Sequence, residues 1–123
     1  MAHTEKRRAE PADPAKPESP GLREFLGLKS WSQPHAVDRL RAASPTSYVH
    51  KGMPPFLFVH GTADTQVAYE QSPRMCELMK KAGAGCEIVT VERGRHGMGS
   101  WDADPAMGHW RTDVIGWLKK TLR

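Results

Sequence analysis

Pro54-Pro55 leads into Phe56-Leu57-Phe58-Val59, four apolar residues in succession, and Gly61 ends the run. A stretch this short, with no polar residue alternating through it, suits a strand covered on both faces, as in a parallel sheet. A parallel partner demands a crossover connection, and the residues that follow supply one. Met75, Leu78, Met79 and Ala82 recur at helical spacing over residues 71–82, with Gly83 at the C′ position. Residues 87–92 then read Glu-Ile-Val-Thr-Val-Glu, a second strand. After a glycine-rich loop over 94–99, Met107, Trp110, Val114, Trp117 and Leu118 mark a last amphipathic helix. The order strand, helix, strand, helix predicts an α/β chain built on a right-handed βαβ unit.

At 123 residues the chain has room for one small domain, and 38% hydrophobic with 26% charged residues suits a globular one. The first 19 residues are different. Pro11, Pro14, Pro17 and Pro20 recur every third residue among Ala, Lys, Glu and Asp, which predicts a disordered leader over 1–19. From Pro20 to Pro45 the chain is weakly helical. Ser19-Pro20 opens one helix with Leu22, Phe25 and Leu26 on a face and Gly27 at its end. Ser32 caps a second, with Ala36, Val37, Leu40 and Ala43 as its stripe and Pro45 as its stop.

Several function classes are excluded at this stage. No apolar run is long enough for a bilayer helix, and the polar start (His3, Glu5, Lys6, Arg7, Arg8) lacks the stretch a signal peptide needs. The net charge of +4 is spread out, and Glu5 and Glu10 dilute Lys6-Arg7-Arg8, so no nucleic-acid stripe is expected. Cys76 and Cys86 fit no zinc spacing. A disulfide needs the helix bearing Cys76 to pack beside the strand bearing Cys86; two unrelated buried thiols are the simpler expectation.

Two polar residues stand just past the strands. Asp64 closes His60-Gly61-Thr62-Ala63-Asp64, and His96 sits in Gly94-Arg95-His96-Gly97. Sites in open parallel sheets lie outside the carboxyl ends of strands, so neighbouring strands bring both loops to one rim. There a carboxylate facing an imidazole fixes its tautomer and stabilises the imidazolium. By position alone, a solvated or turn-capping Asp64 fits equally.

These residues resemble a family. The segments Ala43-Ser44-Pro45-Thr46-Ser47-Tyr48-Val49 and Pro54 to Asp64, then Val67, Gln71-Ser72, Ala82-Gly83 and Gly94-Arg95-His96-Gly97, are similar to the C-terminal part of α/β-hydrolases. The nearest branch is the esterases and lipases related to bacterial feruloyl esterases; prolyl-oligopeptidase catalytic domains are similar here. The resemblance implies a partial α/β-hydrolase fold over 20–123: the last two parallel strands with flanking helices. It implies Asp64 as the triad acid and His96 as the general base, in the family's order. His60 is read as structural, a buried imidazole bonded to a loop carbonyl. Ala68 stands where a proline commonly follows Val67, and Met98 where an aromatic often follows His96-Gly97.

The nucleophile elbow is absent. Serines stand at 19, 30, 32, 44, 47, 72 and 100, and none has glycine at both minus two and plus two. Ser100 lies near His96 but lacks the strand-to-helix setting of an elbow. The expected activity is hydrolysis of a small-molecule carboxylic ester, with the serine and oxyanion donors supplied from sequence not in this chain, and the chain alone inactive. No metal or organic cofactor is implied. A non-catalytic remnant or interaction module is the alternative, and a prolyl-oligopeptidase-type peptidase the third reading. An unpaired apolar strand edge also predicts self-association or docking to an upstream fragment. Trp101 is left between lining a pocket and packing under the last helix; Trp110 and Trp117 are read as core. Asp102 and Asp104 resemble a metal pair superficially, and a helix-capping Asp104 before Pro105 is the better reading.

Overall fold

The computed structural model describes residues 20–122. The leader expected over 1–19, and Ser19 as a cap, lie outside the described residues. The described residues divide into two compact units, 20–44 and 45–122.

In the first unit, α1 (Pro20–Phe25) and α2 (Ala36–Ala43) are short helices. Gly27 ends α1's turn at φ +65°, a conformation that costs glycine nothing. Arg39 donates to the carbonyls of Leu26 (2.7 Å) and Gly27 (3.2 Å), satisfying helix-end acceptors. Two expectations fail here. Ser32 does not cap α2; its backbone N–H and its hydroxyl are engaged with Ser30 Oγ, and His35 occupies the N-cap in the left-handed region. Phe25 does not join a buried face and is 80% exposed.

In the second unit, a 3₁₀ turn (Pro45–Tyr48) precedes β1 (Phe56–Gly61), α3 (Gln71–Lys81), β2 (Cys86–Val91) and α4 (His109–Thr121). The strands pair in parallel, with Phe56 opposite Cys86 and Gly61 opposite Val91. Side chains alternate across this sheet. Phe58, Cys86 and Ile88 face α3, whose Cys76 and Met79 complete the core together with Ala84 beyond its end. Leu57, Glu87 and Val89 share a groove of about 480 Å³ with Trp117 and Gly116 of α4. Lys120 reaches across that groove to Glu87 at 2.6 Å. One helix therefore covers each face, as the apolar β1 requires.

The expectation of two separate thiols is overturned. Cys76 on α3 and Cys86 at the start of β2 form a disulfide, with Cα atoms 5.3 Å apart. Packing α3 over the first pair of the ladder brings them together. Gly83, at φ +81°, turns the chain between them.

Trp101 is buried and meets Trp110 edge-on at 6.1 Å, so packing rather than pocket lining describes it. Trp110 and Trp117 are half-buried rather than core. Asp104 caps a turn instead of a helix: its carboxylate accepts from the Ala106 N–H at 2.9 Å, and α4 begins only at His109. Asp102 pairs with Arg111, and Asp104 with Arg93 at 3.5 Å, so each has a cation partner. Among the described residues, no helix is long and apolar enough to cross a membrane, and no cluster of three or more His, Cys, Asp or Glu is placed to hold a metal ion.

Candidate active site

β1 and β2 end side by side, so the loops that follow them leave from the same end of the sheet. Their backbones then lock. The Thr62 N–H donates to Val91 O, and the Ala63 N–H to Gly94 O, each at 3.0 Å. Trp101 Nε1 donates to Arg95 O at 3.0 Å, fixing the peptide just before His96. The aromatic side chain thus acts on the site through a backbone carbonyl.

Asp64 and His96 meet in this frame. His96 Nδ1 lies 2.9 Å from Asp64 Oδ2. The carboxylate can only accept, so Nδ1 carries a proton, and any lone pair of the ring is at Nε2. Asp64 Oδ1 accepts from the N–H groups of Gln66 (2.8 Å) and Val67 (2.9 Å). The Asp64 side chain is 6% exposed and that of His96 45%. A buried, fully bonded carboxylate beside a solvent-facing imidazole is an arrangement in which the ring can exchange protons while the carboxylate stays fixed. The Val67 N–H, with the His96 bond and the Gln66 N–H adding to it, holds the Asp64 carboxyl far below the usual carboxylate range; burial opposes them. Asp64 is therefore ionised at neutral pH.

The other residues singled out from sequence fall into place around this pair. His60 is buried, with Nε2 3.1 Å from Val67 O, the loop-carbonyl bond expected of it. Ser100 ends a 3₁₀ turn, Met98–Ser100, and Met98 is half exposed beside the His96 loop. Sequence reasoning missed Ser72, whose Oγ lies 2.7 Å from His60 Nδ1, and Tyr69, whose hydroxyl lies 2.6 Å from Thr90 Oγ1. Both contacts are tertiary, and no spacing along the chain announces them.

The comparisons with known proteins agree with this architecture. Residues 23–123 match the prolyl oligopeptidase family. Esterase LipQ of Mycobacterium tuberculosis is 46% identical over 44 residues, which are 36% of this chain and 10% of LipQ. The 5-methylorsellinic acid synthase of Aspergillus terreus is 33% identical over 85 residues, 67% of this chain and 3% of the synthase. Among solved structures, a thermophilic esterase from Thermogutta terrifontis, Est2, superposes with a TM-score of 0.62 at 33% identity, over 81% of this chain and 33% of Est2. The chain thus spans a third of the solved esterase and a tenth or less of the two curated relatives. With the family matched across most of its length and the esterase fold around its two strands, this chain belongs to the prolyl oligopeptidase family and carries part of an α/β-hydrolase fold of the esterase kind.

Proposed function

We propose that residues 20–123 are the C-terminal portion of a serine hydrolase acting on carboxylic esters, with Asp64 as its acid and His96 as its general base. The observation that carries this is the 2.9 Å Nδ1–Oδ2 contact between two loops leaving the same end of adjacent parallel strands. With Nδ1–H held by Asp64, His96 Nε2 takes the proton of an attacking serine hydroxyl. The serine oxygen bonds to the ester carbonyl carbon, and the resulting imidazolium is stabilised by the ionised Asp64. It then returns the proton to the departing alcohol, leaving an acyl-serine. Water, deprotonated by the same nitrogen, then bonds to the acyl carbon; the serine ester bond breaks, the imidazolium returns the proton to the serine oxygen, and the acid leaves. The relatives named as esterases support an ester as the bond cleaved.

The nucleophile and the oxyanion donors are assigned to sequence outside these 123 residues, since no serine here stands in an elbow. Loss of a triad serine costs about 10⁶ in turnover, and what remains depends on the oxyanion hole. The chain alone is therefore expected to hydrolyse p-nitrophenyl butyrate no faster than its His96→Ala variant, and to take no label from a fluorophosphonate. Burst kinetics with an acyl-serine found by mass spectrometry contradict this and move the nucleophile to Ser100.

A second reading, cleavage of a peptide bond, is favoured by the prolyl oligopeptidase match. The same acid and base serve both, and the completed enzyme separates them by its preference for ester or amide. The proposal also includes a protein partner. Each strand of the two-stranded sheet has one edge without a strand neighbour among the described residues. The edge of β1 carries the uncharged run Phe56 to Val59, so the remainder of the hydrolase sheet, or a second copy of this chain, is the partner it fits.

A further inference from the structure

His60 occupies the next-to-last position of β1, on the face toward α3, and is 9% exposed. Both ring nitrogens are engaged. The Val67 carbonyl can only accept, so Nε2 carries the proton and donates to it at 3.1 Å. With the proton on Nε2, Nδ1 can offer its lone pair to the Ser72 hydroxyl, whose Oγ lies 2.7 Å away. Tyr69 packs edge-on against the imidazole at 5.5 Å while its hydroxyl bonds Thr90 of β2, so the ring has little room to turn.

This one N–H bears on both oxygens of Asp64. The residue whose carbonyl it holds, Val67, is the residue whose N–H holds Asp64 Oδ1. The same Nε2 lies 3.3 Å from Asp64 Oδ2, the oxygen that His96 uses. With the proton on Nδ1 instead, an imidazole lone pair would face a carbonyl oxygen and a carboxylate oxygen at these distances. The repulsion would push the carboxylate off its line to His96.

We infer that His60, kept as its Nε2–H tautomer by the acceptor-only Val67 carbonyl and tethered at Nδ1 by Ser72, is a positioning residue that aims the Asp64 carboxylate at His96. The inference rests on the reading of Asp64 and His96 as acid and base. It assigns to Ser72, on α3, the task of holding the His60 ring by its Nδ1 so that Nε2 stays aimed at the Val67 carbonyl and Asp64.

The test is ¹⁵N labelling of the histidine rings in the full chain, with long-range ¹H–¹⁵N correlation to show which nitrogen carries each proton. The expected spectrum has His60 protonated at Nε2 and His96 at Nδ1, the latter with a low-field hydrogen-bonded proton. His60→Phe is expected to lose that His96 proton. His60→Gln, whose side-chain amide places an N–H near the position of Nε2, is expected to keep it. Ser72→Ala, which removes the hydroxyl at His60 Nδ1, is expected to loosen the His60 ring and broaden the His96 proton. An Nδ1–H tautomer at His60 in the unaltered chain overturns the inference, and so does an unchanged His96 proton in a folded His60→Phe. Should His60→Phe lose its dispersed amide spectrum, the other two variants decide. A proton kept in His60→Gln and broadened in Ser72→Ala supports the inference; one unchanged in Ser72→Ala, or lost in a folded His60→Gln, overturns it. Asp64→Asn separates the two levels. A His96 ring that ignores Asp64→Asn removes the acid–base reading itself, whereas one that responds to it but to neither His60 nor Ser72 removes only the positioning role.

Discussion

Gly61 and Gly94 meet backbone to backbone: a Cβ built on Gly61 would stand 2.1 Å from the Gly94 carbonyl oxygen, and one on Gly94 would stand 3.0 Å from the Gly61 Cα. Gly61 is three residues before Asp64, and Gly94 two before His96. The crossing of the two strand exits therefore sets the span that the Asp64–His96 hydrogen bond must close. Neither glycine is in the left-handed region; each is needed for room rather than for torsional freedom.

Gly61→Ala is expected to destabilise the chain by about 3 kcal/mol, the upper range for overpacking, because the obstructing atoms are backbone and cannot swing aside. Urea unfolding followed by tryptophan fluorescence checks it. A midpoint equal to that of the unaltered chain would mean the two loops do not touch.

The disulfide closes a short loop, Cys76 and Cys86 being 10 positions apart. In the chain-entropy description a loop of this size contributes about 3 kcal/mol. Reduction is expected to lower the melting temperature, and the denatured but unreduced chain to show no free thiol. Two titratable thiols before reduction would show that the bridge does not form.

The depressed Asp64 carboxyl fixes the sign of a pH effect. Its pKa is lower folded than unfolded, so its contribution to stability is whole above the ordinary aspartate value of about 3.9 and is lost as the pH falls below it. The urea midpoint is expected to fall as the pH drops below about 4, and to fall less in Asp64→Asn, which cannot titrate. Parallel pH profiles for the two would place the stabilising hydrogen bonds on some other carboxylate.

An apolar strand edge that is left open recruits another strand. In sedimentation velocity the isolated chain is expected to show a weight-average mass that rises with concentration, and Phe56→Lys, which puts a charge at the exposed start of the β1 run, to suppress the rise. A strict monomer across concentrations would show that the β1 edge is already closed.

The strands and helices of the second unit were legible because each carries its own period. The unbroken run at Phe56 marked β1, and the spacing of Met75, Leu78 and Met79 marked α3. The second strand slipped by one residue. It begins at Cys86, whose pairing opposite Phe56 is decided by register rather than by its own polarity. The rim shared by Asp64 and His96 followed from topology alone, since any parallel βαβ unit brings those two loops together. The Cys76–Cys86 bridge, Ser72 at His60 and the Trp101 bond to Arg95 depend on which face of a helix or loop meets the sheet, which spacing does not encode. At α2, Ser32 looked like the cap because serine commonly is one, but its hydroxyl bonds Ser30 and the helix starts four residues later.

The central claim, that Asp64 and His96 are the acid and base of an esterase, is tested most directly by a transplant. Residues 20–123 would replace the matching third of Thermogutta terrifontis Est2, whose remaining sequence would supply the rest of the site. The folded chimera is expected to hydrolyse p-nitrophenyl butyrate, with His96→Ala lowering kcat about 10⁶-fold and Asp64→Asn about 10⁴-fold. A folded chimera without activity, or one whose activity survives His96→Ala, would contradict the account.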